Sequence, residues 1–167
     1  IIYLKDRKKA FEKKYKKKIL WNYEDRYSPQ IHIKNGHINV KNNITFLYQR
    51  DALKLFGYQS NSHLQRGWWN IKGTDKAVWF PKLYPNKQWK NAVTQDGLTI
   101  TQERIIDGKK YITDDTKRIV FAHYKNILGQ TVYKFYGMYE VDFKKSTENK
   151  QIFNRITGKL DLNKIRS

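Results

Sequence analysis

Residues 117–143, KRIVFAHYKNILGQTVYKFYGMYEVDF, read as two strands joined by a turn. "KRIVFAHYK" (117–125) is apolar on both faces, as a strand in the middle of a sheet must be when each side packs against something. "ILGQ" turns the chain. In "TVYKFYGMYEVDF" (131–143) the odd positions Tyr133, Phe135, Tyr139, Val141 and Phe143 form one apolar face, and Gly137 marks an expected bend or bulge. Upstream, "LTITQERI" (98–105) alternates as a strand does, and Asp107-Gly108 offers a turn. Downstream, "QIFNRITGKLDL" (151–162) is expected to be the last strand. Many short strands with few helices predict a mainly β chain with short helices, a closed or half-open barrel.

The first half of the chain adds fewer strands. "NITFLYQRDALKLFGYQ" gives a short apolar strand and then a helix from Arg50 to Phe56 that Gly57 closes, a plug for the core. "IHIKNGHINV" (31–40) reads as a two-residue hairpin turning at Asn35-Gly36, with Lys34 facing His37 and His32 facing Asn39. One hairpin face is then aliphatic, and the other carries His32, Lys34, His37 and Asn39. "YLKDRKKAFEKKYKKKIL" reads as a basic helix with Leu4, Phe11 and Tyr15 on a narrow stripe, either a solvated peripheral face or a phosphate contact. The expected organisation is a single domain over 1–167: a basic N-terminal helix (1–19), a β pseudobarrel (20–162), and the possible start of a linker (163–167). The chain begins on Ile, and is expected to be one module of a longer polypeptide.

Charge narrows the partner class. The formal net charge is +19 with a pI near 10.0, of which the first 20 residues hold +7 and the other 147 hold +12. An excess spread in this way favours a polyanion. The absence of Cys excludes disulfides, thiolate zinc sites and cysteine nucleophiles, and four scattered His make a His-only metal site a poor reading. No cofactor is expected. No apolar run approaches the roughly 20 residues that span a bilayer, and no signal-peptide core follows the basic start, so a cytoplasmic protein is expected.

Four of the five Trp lie in "GWWNIKGTDKAVWFPKLYPNKQWK", and Arg66, Lys72, Lys76, Lys82, Lys87 and Lys90 are interleaved with them against Asp75 alone. Aromatics among unbalanced cations suit base stacking with phosphate attraction. Trp79 is expected in the core and Trp89 exposed in a projecting loop that Pro81 and Pro85 mark. Two polar projections follow, 22–43 and 82–97. Their candidate DNA contacts are Arg26, His32, Lys34, His37, Asn39 and Lys41 in the first, and Tyr84, Asn86, Lys87, Gln88, Trp89, Lys90, Asn91 and Gln95 in the second, with Arg66 beside them. A nuclease site can be drawn from Asp114 or Asp115 with Asp142 and Lys144, but this pattern arises readily in a Lys-rich chain, and no catalytic function is expected.

The order of elements, a polar arm, then "ITFLYQRDALKLFG", then "KAVWFPKLYPNKQWKNAVTQDGLTIT", then "RIVFAHYK", resembles the DNA-binding pseudobarrels of bacterial restriction enzymes. The family it resembles is the effector domain of EcoRII and its relatives, akin to the plant B-three domain. The Lys-rich start is similar to the N-terminal specificity domain of an LlaJI-type, McrB-related restriction protein. That resemblance implies a seven-stranded-like open pseudobarrel with two projecting arms that enter the major groove of double-stranded DNA and read a short site. Nucleotide hydrolysis and cleavage would then belong to further domains or subunits. "KFYGMYEVDF" is equally similar to PUA-like readers of modified bases, including SRA and EVE domains. This alternative would flip a base into an aromatic pocket of Trp68, Trp69 and Tyr84. An RNA-binding protein that stacks single strands is the third reading.

Overall fold

The computed structural model describes residues 27–84, 86, 87, 89–104 and 114–166, together with 6, 7, 9 and 10, which are helical. The rest of the expected N-terminal helix and the Asp107-Gly108 turn lie outside the described residues.

The elements run α1 (Pro29–Asn35), β1 (His37–Asn39), a 3₁₀ turn (Val40–Asn42), β2 (Thr45–Phe46), α2 (Gln49–Lys54), β3 (Trp68–Asn70), β4 (Lys76–Trp79), β5 (Trp89–Val93), β6 (Thr99–Arg104), β7 (Lys117–Lys125), β8 (Thr131–Val141), β9 (Lys150–Thr157), β10 (Lys159–Asp161) and α3 (Leu162–Arg166). The main sheet is ordered β3-β4-β7-β8-β9-β6-β5, with β2 added on β8, and it stays open between β3 and β5. This is the mainly β, half-open pseudobarrel with short helices that the strand pattern predicts.

β7 is central, between β4 in parallel and β8 in antiparallel pairing. Its two faces feed different cores. Ile119 and Phe121 join Phe46, Leu53, Leu55, Phe56, Phe80 and Phe135 on the side that α2 covers. Val120 and Ala122 join Trp79, Ile100, Tyr139 and Phe153 on the other. Leu55 and Phe56, at 0% and 4% exposure, are the core plug that the sequence implies. Gly137 sits at φ 113° between register shifts on both sides of β8, which confirms the expected bulge. Phe143, read as the end of that apolar face, lies in the following turn and is exposed.

The 31–40 hairpin does not form. Ser28 caps α1 by accepting from the Gln30 amide at 3.4 Å, Pro29 occupies the first turn, and Gly36, at φ 78°, ends the helix with its N–H on the His32 carbonyl. Asn35-Gly36 is therefore a helix stop, in which the glycine supplies the left-handed residue after the last turn. β1 pairs instead with β10, Ile38 facing Leu160, which ties this segment to the far end of the chain. The single strand expected over 151–162 divides at Gly158 into β9 and β10. Of the start of a linker expected over 163–167, residues 163–166 belong to α3, in which Leu162 and Ile165 are buried. Among the described residues no helix is long and apolar enough to cross a membrane.

Candidate nucleic-acid interface

A cleft of about 960 Å³ opens at one end of the sheet, where β4 and β7 finish and β8 begins. Trp79, Phe80, Tyr133 and His123 form its aromatic wall, and Tyr84 and Trp89 flank it. These rings hold one another: His123 meets Tyr133 edge-on at 4.9 Å, and Phe80 meets Tyr133 at 5.7 Å. Burial, aided by the nearby Lys82 charge, holds the His123 pKa below its ordinary value, while its hydrogen bond to the Phe80 carbonyl works in the opposite direction. Burial likewise raises the Tyr133 hydroxyl, against a hydrogen bond with Gln49.

The polar wall comes from a row of buried amides. Asn91 on β5 is the register partner of Gln102 on β6, which is in turn the partner of Gln151 on β9. All three are 5–6% exposed. Gln151 donates to the Thr147 carbonyl at 2.6 Å, whereas Asn91 Oδ1 and Gln102 Oε1, both in residues that line the cleft, find no hydrogen-bond partner among the described residues. A buried amide oxygen without a donor is costly, about 1–3 kcal/mol, so two of them together call for a ligand that donates. Arg66, Lys82 and Lys87 stand exposed at the rim, and among the described residues no acidic side chain lines the cleft. Flat aromatic walls, paired acceptors and a cationic rim fit a heteroaromatic base joined to phosphate.

Of the expected contacts, Arg66, Tyr84, Asn86, Lys87, Trp89 and Asn91 meet at this cleft. Trp89 is half-buried rather than looped out, because 89–93 is a strand paired with β6, and Arg104 stands over its ring at 5.7 Å. Asn86 spends its side-chain oxygen on the Trp89 amide at 3.0 Å, closing the turn before β5. Lys90 alternates to the opposite face from Asn91, and Gln95 sits in the exposed β5–β6 turn away from the cleft. Gln88 and Arg26 lie outside the described residues.

The described part of the first segment, 27–43, lines none of the cleft. His32 is half-buried with its ring edge-on to Phe46 at 5.8 Å, and burial lowers its pKa. His37 Nδ1 lies 3.0 Å from the Asn35 carbonyl, and Asn39 accepts from the Lys41 amide at 3.0 Å, capping the 3₁₀ turn. Lys34, His37 and Lys41 are exposed. The donor-rich hairpin face is thus replaced by a helix and its caps.

Trp68 and Trp69 are absent from the cleft as well. Trp68 packs over the Arg118 guanidinium at 4.7 Å, and Trp69 meets Tyr58. Trp79, read as core, is both core and cleft wall. Gln102, His123 and Tyr133 were legible only in part: Gln102 is the polar residue on the inward face of an alternating strand, a position that asks for a reason. Asp142 uses its carboxylate to receive the Lys144 and Lys145 amides and Asn154 Nδ2, which stabilises its ionised form and closes a turn. Among the described residues no group of three His, Asp or Glu could hold a metal.

The fold and cleft define a half-open β domain with an aromatic, cation-rimmed cleft at one end of its sheet. Residues 31–162 match the SET and RING associated (SRA) domain, and the chain belongs to that family. SRA membership makes DNA the partner class. Among solved structures, the 5-hydroxymethylcytosine-specific restriction enzyme AbaSI superposes with a TM-score of 0.72 at 29% identity, over 95% of this chain and 52% of that one. The chain thus spans about half the length of the AbaSI chain. Among curated proteins none matches the chain. These likenesses carry the restriction-related part of the earlier resemblance but not its LlaJI-type or EcoRII-type assignment.

Proposed function

We propose that this domain reads a cytosine modified at C5 in double-stranded DNA by taking it out of the stack into the cleft. The carrying observation is the pair of buried acceptors, Asn91 Oδ1 and Gln102 Oε1, set beside an aromatic wall. The cytosine amino group carries two donors, and both are free for a pair of acceptors only once the base has left its partner. The likeness to a 5-hydroxymethylcytosine-specific enzyme supports a modified cytosine as the ligand. The domain acts as the non-catalytic targeting module of a restriction system, with cleavage and any nucleotide hydrolysis supplied by further domains or subunits.

The test is competition binding to duplexes that carry one 5-hydroxymethylcytosine, one 5-methylcytosine or only cytosine. Preference for a modified duplex is expected, and Asn91→Leu or Gln102→Leu should each cost about 1–3 kcal/mol of binding to it. Equal affinity for all three duplexes overturns the reading. A second reading, two arms in the major groove, draws on the exposed Lys34, His37 and Lys41. It predicts sequence selection without regard to modification.

A further inference from the structure

Gln49 opens α2, is 4% exposed, and lines the cleft together with Tyr133. The Arg66 main-chain N–H donates to its Oε1 at 2.8 Å. A backbone N–H is never an acceptor, so this bond settles which end of the amide is the oxygen. What remains for the Tyr133 hydroxyl, the other partner of this side chain, is the Nε2 end, which only donates. The phenol oxygen therefore accepts from Gln49, and its one proton is left to point elsewhere. Burial raises the Tyr133 pKa and the bond with Gln49 lowers it, as a donor to the phenol oxygen does. The ring is braced by His123 and Phe80, both edge-on, at 4.9 and 5.7 Å.

A cytosine in the cleft has use for that proton. Its amino group supplies the donors that Asn91 Oδ1 and Gln102 Oε1 lack, but its ring nitrogen and carbonyl oxygen are acceptors, and burying them without a donor costs affinity. We propose that Gln49 is a positioning residue that turns the Tyr133 hydroxyl into the cleft, where it donates to the acceptor side of the base's pairing edge. This rests on the base-flipping reading above. The site then reads the edge in both senses, with acceptors toward the amino group and a donor toward the ring. A thymine-type base, whose ring nitrogen carries a proton of its own, mismatches both. The same side chain anchors the main chain of Arg66, so α2 ties the reading of the base to a cation at the rim.

The experiment is a double-mutant cycle on the full chain, with affinity read on a duplex carrying one 5-hydroxymethylcytosine and on an all-A·T duplex of the same length. Tyr133→Phe keeps the ring and removes only the hydroxyl. It should lose about tenfold on the modified duplex and nothing on the A·T duplex, where phosphate contact alone holds the protein. Gln49→Glu keeps an oxygen for the Arg66 amide but puts an acceptor in place of Nε2, which draws the hydroxyl proton out of the cleft. In that background Tyr133→Phe should cost less than about twofold, since the added charge is common to both arms and cancels. An undiminished cost there would strip Gln49 of the positioning role. Unchanged affinity of Tyr133→Phe for the modified duplex, or an equal loss on both duplexes, would overturn the donor. Failure of the base-flipping reading has a different signature: the wild type would bind modified and unmodified duplexes equally.

Discussion

Gln102 shows how one residue divides between folding and recognition. Its amide oxygen is buried with no donor among the described residues on the inner face of β6, so Gln102→Leu should leave the unfolding free energy unchanged or raise it by about 1 kcal/mol, while binding to the modified duplex falls. A urea melt beside the binding curve checks both, and a large loss of stability would make Gln102 a structural residue. The half-buried histidines add a pH dependence. Burial lowers the pKa of His32 and of His123 from 6.5, so the native state favours their neutral forms. Below pH 6.5 the unfolded chain therefore binds more protons than the native one, and stability should fall as pH drops through that interval. Asp75 adds a later step. Its hydrogen bonds with Lys76 and Lys117 hold its pKa at about 2, so its contribution is lost only as pH falls below 3.8. Thermal melts at pH 7.5 and 5.5 should differ in the wild type and less so in a His32→Gln/His123→Gln variant; an undiminished difference would assign the effect elsewhere.

At the scale of elements, β7 and β8 were legible because their signals have one structural answer, a two-faced apolar run and an apolar face broken by glycine. The segment 29–36 was not, because its signals have two. Asn-Gly ends a helix as readily as it turns a hairpin, and Ile31 and Ile33 alternate as in a strand although only Ile33 packs on the core. Ser28-Pro29 is the cue that settles it, a cap followed by a first-turn proline. The edge strand β5 escaped notice for the opposite reason: Asn91 is its one buried position, so no apolar face announced it. Gly137 permits a direct test. A Cβ there would lie 2.7 Å from the Thr157 carbonyl oxygen at φ 113°, whereas one at Gly73 would meet nothing within 4 Å at φ 76°. Gly137→Ala should therefore cost several-fold more than Gly73→Ala, whose penalty is the backbone conformation alone at about 1 kcal/mol. Equal midpoints in urea would mean that the bulge relaxes without cost.

For the whole molecule, the +19 charge announces a polyanion partner but not where it lies, because the excess is spread along the chain and only folding selects which cations share a face. The cleft selects Arg66, Lys82 and Lys87 at its rim and leaves Lys90 on the opposite face of β5 and Lys72 in the β3–β4 turn. If phosphates flank the base that enters, each rim cation displaces counterions on binding, and its removal should lower the slope of log affinity against log salt by about 0.9. Arg66→Ala, Lys82→Ala and Lys87→Ala should each flatten the slope by about that amount on modified and unmodified duplex alike, since a phosphate contact carries no information about the base. Lys90→Ala and Lys72→Ala should leave it unchanged although they remove the same charge from the same chain. An equal effect of all five substitutions would mean that DNA responds to the overall field of the protein, and the cleft would lose its claim to orient the duplex.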